Sequence, residues 1–125
     1  MILPLELLGR IEAHQGDFAA ARIFHEKGLA MAHALDDYWL CAFCLEGLAS
    51  VVAAQGALAL AARLWGVAES LRERCGIPLT PVEQADYKPA VAAVRANLNE
   101  QVFHAAWSQR RTLTIEQVFA ANTAH

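Results

Sequence analysis

With 125 residues the chain is long enough to bury one apolar core without disulfides or metals, so a single domain is expected. Its apolar share of 56% exceeds the usual ~45–50%, and much of the excess is alanine, which favours closely packed helices over a sheet. A net charge of −3 leaves no basic footprint for nucleic acid, so no direct nucleic-acid contact is expected. Arg110–Arg111 and the pairs around Arg72 and Arg74 are too sparse for a phosphate-binding stripe and read as solvated helix faces. Three cysteines (Cys41, Cys44 and Cys75) and an apolar opening without a basic n-region fit a reduced, cytoplasmic setting. No run of 18 uncharged apolar residues occurs, so no membrane span is expected.

The elements read in chain order as helices. A first helix is predicted over 4–15, with Pro4 at a first helical position and Leu5, Leu8, Ile11 and Glu12 on one face. Gly16 stops it and Asp17 caps a second helix carrying Ala21, Phe24, Gly28, Leu29 and Ala32 to about residue 35. Asp36–Asp37 acts as stop and cap. A third helix over 38–55 carries Leu40, Cys44, Leu45, Leu48 and Val52, and Gly56 breaks it. A fourth, over 58–74, turns Ala61, Leu64, Trp65, Ala68 and Leu71 inward.

The run Gly76-Ile77-Pro78-Leu79 is the clearest composition break. Beyond it Thr80-Pro81-Val82-Glu83 has the form of a capping box, opening a helix towards Leu98. Pro89 falls inside this helix, where it removes a backbone hydrogen bond, so a kink or restart near Tyr87–Lys88 is expected. Asn99 caps a short helix with Val102, Phe103, Ala106 and Trp107. Thr114-Ile115-Glu116-Gln117 opens a last one, making about seven helices and no strand. Val102, Phe103, Trp107 and Val118 are expected to fold back over the 58–74 helix as a cap.

The chain also repeats at an offset of 40. Leu5-Glu6-Leu7-Leu8-Gly9 falls on Leu45-Glu46-Gly47-Leu48-Ala49, and Gln15-Gly16-Asp17-Phe18-Ala19-Ala20-Ala21 falls on Gln55-Gly56-Ala57-Leu58-Ala59-Leu60-Ala61. A leucine, a small residue, a turn glycine and a later alanine describe two antiparallel helices crossing closely, here near Gly9/Ala21 and Ala49/Ala61. Such a unit stacks on copies of itself to bury its apolar face.

Residues 5–75 accordingly resemble two tetratricopeptide-type repeats lengthened to 40 residues. Leu8–Gly9 and Leu48–Ala49 match the Leu–small pair, and Gly16 and Gly56 match the turn. Ala21 and Ala61 match the small residue of the second helix, with His25 and Trp65 at an aromatic position and Gly28 and Ala68 at the later small one. The usual proline after the second helix is missing, and Asp36–Asp37 takes over its stop. From Ala61 to Phe119, the run Ala61-Ala62-Arg63-Leu64-Trp65-Gly66-Val67-Ala68-Glu69-Ser70-Leu71-Arg72 resembles the tetratricopeptide-like tail of large bacterial multidomain transcriptional regulators with a nucleotide-binding switch domain. The 76–79 break, Tyr87, Phe103, Ala106–Trp107, Leu113–Thr114 and Glu116–Gln117 follow in the same order. The resemblance implies an all-α solenoid fragment, with two hairpins over 1–75 and capping helices of the same domain over 76–125. It also implies the sensing or docking end of a regulator.

No residue pattern points to catalysis. Cys41 and Cys44 form a C-x-x-C inside a helix, sharing a face with Leu45 and Leu48, and lack a further ligand pair at zinc spacing; packing is the expected role. His25–Glu26 and His14 with Asp17 lack a phosphate loop, a nucleophile elbow or a metalloprotease motif. An enzyme is not expected, and neither is a cofactor or metal. Most of the aromatics, Trp39, Trp65, Trp107, Phe18, Phe24 and Phe103 among them, fall on core spacing.

By the resemblance, the concave groove of the repeats maps onto Glu6, Arg10, His14, Phe43, Glu46 and Ser50, a mixed set suited to a peptide or protein segment unless it is a solvated face. Two functions stay open: a protein-interaction module, and a sensor domain that binds a small metabolite. A concave pocket with converging polar groups would favour the second. Ile2, Leu3, Leu5, Leu7 and Leu8 crowd the opening of the chain, so a homodimer with the 4–15 helix at its two-fold interface is expected.

Overall fold

The computed structural model describes residue 11 and residues 15–108. Of the helix expected over 4–15 only Ile11 and Gln15 are described, and the last helix from Thr114, Val118, the groove positions Glu6, Arg10 and His14, and the leucines behind the expected dimer lie outside that range. Within it every element is a helix: α1 (Phe18–Ala34), α2 (Tyr38–Ala54), α3 (Leu58–Cys75), α4 (Pro81–Asn97) and α5 (Glu100–Ser108). The fold is all-α, with α1, α2 and α3 packed as successive hairpins and α4 and α5 both docked on α3.

A finer period than 40 organises the hairpins. Left-handed backbone recurs at Gly16 (φ 82°), Asp36 (φ 53°), Gly56 (φ 90°) and Gly76 (φ 68°), at intervals of twenty residues. Around the last three the helix ends are closed alike. Asp37 N–H donates to the Ala32 carbonyl at 3.1 Å, Ala57 N–H to Val52 at 2.9 Å, and Ile77 N–H to Arg72 at 3.2 Å. These six-to-one bonds are Schellman closures, which need a left-handed residue at their centre. Glycine takes that conformation without strain, and aspartate tolerates it better than most residues, which is how Asp36 stands in a glycine position. The following residue starts the next helix. Asp17 accepts from Ala20 N–H and Asp37 from Leu40 N–H, both at 3.1 Å, each cap contributing about 1 kcal/mol. Ala57 occupies the third such position without a side-chain cap.

Alanine and glycine let the helices approach. α1 buries Ala21, Gly28 and Ala32 with His25 and Leu29. α2 buries residues on nearly all sides, including Cys41, Ala42, Cys44, Leu45, Leu48, Ala49 and Val52, because it lies between α1 and α3. α3 is the hub, packing against α2, α4 and α5, and Leu64, Trp65 and Ala68 on it are fully buried. Ala49 and Ala61, the pair expected at a crossing, are both fully buried in the α2–α3 hairpin.

Three details depart from expectation. α4 runs through Pro89 as one helix with no restart. Pro89 and Ala85, whose carbonyl the proline leaves without its helical donor, both lie on exposed positions where water reaches. α5 returns to α3 and inserts Phe103 and Ala106 into the core, with Trp107 against its edge, but Val102 is 44% exposed and takes no part. Immediately before Phe103 and so about 100° round the helix from it, Val102 points off the buried stripe. Finally, Arg72 is buried, not on a solvated face.

Asn99 starts α5 as the sequence implies, its Oδ1 accepting from Gln101 N–H at 2.8 Å. No described helix is long and apolar enough to cross a membrane.

Candidate functional site

The described part of the expected groove is a stripe along α2. Phe43, Glu46 and Ser50 follow one another at three- and four-residue steps, which places them on one side of the helix. Phe43 is half-buried and stacks on Trp39, ring centroids 5.7 Å apart and planes 14° from parallel. Ser50 is exposed, and its hydroxyl donates to the Glu46 carbonyl at 3.2 Å. The stripe thus offers an aromatic shelf at one end and a small polar position at the other.

Between them Glu46 is engaged with α3. Arg72 Nε donates to Glu46 Oε2 at 2.6 Å and Nη2 to Oε1 at 2.8 Å, a two-pronged ion pair. The side chains are 4% and 11% exposed, so the pair is shielded from solvent screening. Arg72 Nη1 also reaches the Ile77 carbonyl at 3.4 Å. One guanidinium therefore ties α2, α3 and the connection after α3 together. The sequence held a sign of this: Arg72 continues the stripe of Trp65 and Ala68 at three- and four-residue steps, and an arginine on a buried stripe requires a carboxylate.

On its other side Arg72 lines a cleft of about 490 Å³ between the end of α3 and the start of α4. Glu69, Glu73 and Gly76 form the α3 wall with Arg72, Pro78 and Leu79 form the end, and Gln84 and Lys88 come from α4. Gln84 Nε2 donates to the Leu79 carbonyl at 3.1 Å, which fixes the connection against α4. Composition alone marked 76–79 as a break; that it borders a cavity depends on where α4 docks.

Cys41 and Cys44 sit in the core, and burial, followed by Asp37, Asp36 and Cys75, pushes the Cys41 thiol up to about 11, so it stays protonated at neutral pH. Among the described residues no three His, Cys, Asp or Glu side chains gather as a metal-binding group. His25 is 1% exposed at its position on α1, packed within the fold.

A separate polar cluster joins α4 to α5. Glu100 accepts from Arg95 at 3.1 and 3.3 Å and faces His104 at 3.2 Å, while the Arg95 guanidinium lies 5.1 Å from the Phe103 ring centroid. Arg95, through its hydrogen bonds and charge, holds the Glu100 carboxyl below the usual range. All three side chains are largely exposed, and the cluster ties α5 to α4.

No protein-family model, no curated protein and no solved structure matches the chain.

Proposed function

We propose that the chain is a non-catalytic protein-interaction module, the sensing or docking part of a bacterial transcriptional or signal-transduction regulator like those its sequence resembles. The observation that carries this reading is the twenty-residue recurrence of the helix closures. An array of uniform helices joined by three-residue turns spends its chain on a continuous surface, and such arrays bind partners along that surface. The α2 stripe, with its Trp39–Phe43 shelf and the Glu46–Arg72 pair, is the part of the surface that combines an aromatic anchor with polar neighbours, as partner-binding patches do.

Photo-crosslinking tests it. With p-benzoylphenylalanine in place of Phe43, irradiation in the native cell should give one discrete protein adduct, and the same label at exposed Lys27 should not. Equal labelling from both positions, or none from Phe43, would remove this reading. A second reading, a metabolite-binding sensor domain, is favoured by the cleft, whose volume lies within the range of small-molecule sites and whose lining mixes charged and apolar residues. A metabolite present at 100 times its dissociation constant would stabilise the fold by about 2.7 kcal/mol, visible in a thermal-shift screen.

The homodimer remains a proposal that rests on the leucines of residues 2–8. Sedimentation at micromolar concentration tests it, and a clean monomer would discard it.

A further inference from the structure

Two opposite charges stand on different walls of the α3–α4 cleft without meeting. Arg72 is held by Glu46 at 2.6 and 2.8 Å, and Glu69 is engaged as well. Glu73 on the α3 wall and Lys88 on the α4 wall are exposed, and among the described residues neither side chain makes a hydrogen bond or an ion pair. Glu73 sits in the last turn of α3 and Lys88 two turns into α4, with residues 76–80 between the helices. The space left between them is the cleft of about 490 Å³.

The rest of the recess is formed before anything enters it. Gly76 turns the chain at φ 68°, and Arg72 is fixed by its two bonds to Glu46. Gln84 Nε2 donates to the Leu79 carbonyl at 3.1 Å, which ties the connection to α4 and leaves Oε1 as a neutral acceptor. A ligand therefore has to order only the two charged heads.

The charges and the apolar end together select what fits. A carboxylate on one wall and an ammonium on the other match a molecule that carries both signs; a dication meets Lys88 unfavourably, and a dianion meets Glu73. Pro78 and Leu79 supply apolar surface in the same space. An α-amino acid carries an ammonium, a carboxylate and a side chain on one carbon, pointing in three directions. It is the smallest common molecule that addresses all three features at once.

We propose that the α3–α4 cleft binds a free α-amino acid with an apolar side chain, its ammonium on Glu73, its carboxylate on Lys88 and its side chain on Pro78 and Leu79. This rests on the sensor-domain reading, to which it gives a ligand class. Phe43 and the α2 stripe are not needed for it.

The test titrates the isotope-labelled full chain with L-leucine and follows the amide resonances. Saturable shifts should centre on the end of α3, residues 76–80 and the surroundings of Lys88, with a dissociation constant of roughly 0.1–1 mM, the range open to so small a ligand. N-acetyl-leucine lacks the ammonium and leucinamide lacks the carboxylate, so each should bind about five- to tenfold more weakly. Glu73→Gln should weaken leucine by the same factor and leave N-acetyl-leucine unchanged. Lys88→Met should weaken leucine and leave leucinamide unchanged. Loss of folding cannot imitate that pairing, and both positions are exposed, so circular-dichroism melts should match the parent. No saturation by about 10 mM, shifts centred elsewhere, or a leucine affinity that ignores either substitution would overturn the proposal. A dipeptide beginning with leucine that binds as tightly as leucine would assign the cleft to a peptide terminus and overturn the free amino acid. A different metabolite seated in the cleft, with leucine silent, would overturn the amino acid and keep the sensor domain. No ligand from the thermal-shift screen either would remove both.

Discussion

Truncating Glu46 to alanine puts the most weight on one observed contact. The substitution leaves the Arg72 guanidinium 4% exposed without the carboxylate that takes two of its hydrogen bonds at 2.6 and 2.8 Å. Breaking a buried ion pair from one side costs about 3–5 kcal/mol. Arg72 also borders the open cleft, so its head can swing towards water, and the expected loss sits at the lower end, about 3 kcal/mol. For a domain whose whole stability is of order 5–15 kcal/mol this is a large fraction, lowering Tm by roughly 10 °C. Replacing both partners, with Glu46→Leu and Arg72→Met, should recover most of the loss, because two apolar side chains of similar size need no compensation. Urea denaturation of the parent, Glu46→Leu, Arg72→Met and the double variant gives the coupling directly, provided the denaturant slope is unchanged. Single-variant losses below about 1 kcal/mol would show a pair no stronger than an exposed one, and the description of Arg72 as the tie between α2, α3 and residue 77 would fail.

Other expectations follow from single features. Ala61→Leu should overpack the α2–α3 hairpin and cost about 1–3 kcal/mol by urea denaturation; a change of a few tenths would mean the helices do not approach there. Gly56→Ala meets no atom within 4 Å yet forces a side chain onto φ 90°, so it should cost about 1–2 kcal/mol, whereas Asp36→Gly should be neutral or stabilising. The Cys41 thiol, raised from 9.0 to about 11 on folding, keeps its proton longer in the folded chain than in the unfolded one. Its contribution is therefore full below pH 9 and lost as pH rises towards 11, so the parent should lose more stability than Cys41→Ala between pH 8.5 and 10.5; parallel losses would refute the burial effect. Pro89→Ala restores a donor to an uninterrupted helix and should stabilise α4 by up to about 3 kcal/mol, read as a higher urea midpoint.

Much of the fold was legible because its punctuation is local. Gly16, Gly56 and Gly76 can end a helix from sequence alone, and Asp17, Asp37 and Asn99 announce the next one through caps that reach only two or three residues. The repeat was visible at 40 residues but not at twenty, because Asp36 replaces a glycine at one of the four positions and hides that closure until its φ of 53° is seen. What sequence could not supply depends on docking. Arg72 looked like surface charge until Glu46, 26 residues earlier, came beside it. Val102 and Phe103 are adjacent apolar residues, and only the approach of α5 to α3 decides which is buried. The cleft follows from residues 76–80, whose composition announces a break but not the separation it creates.

Hydrogen exchange on the full chain, alone and with the protein captured by the Phe43 crosslinker, tests the interaction account most directly. Protection on binding should appear along Trp39–Ser50, leaving the Ile23–Met31 side of α1 unchanged. Protection confined to α1, or spread evenly over all helices, would contradict it.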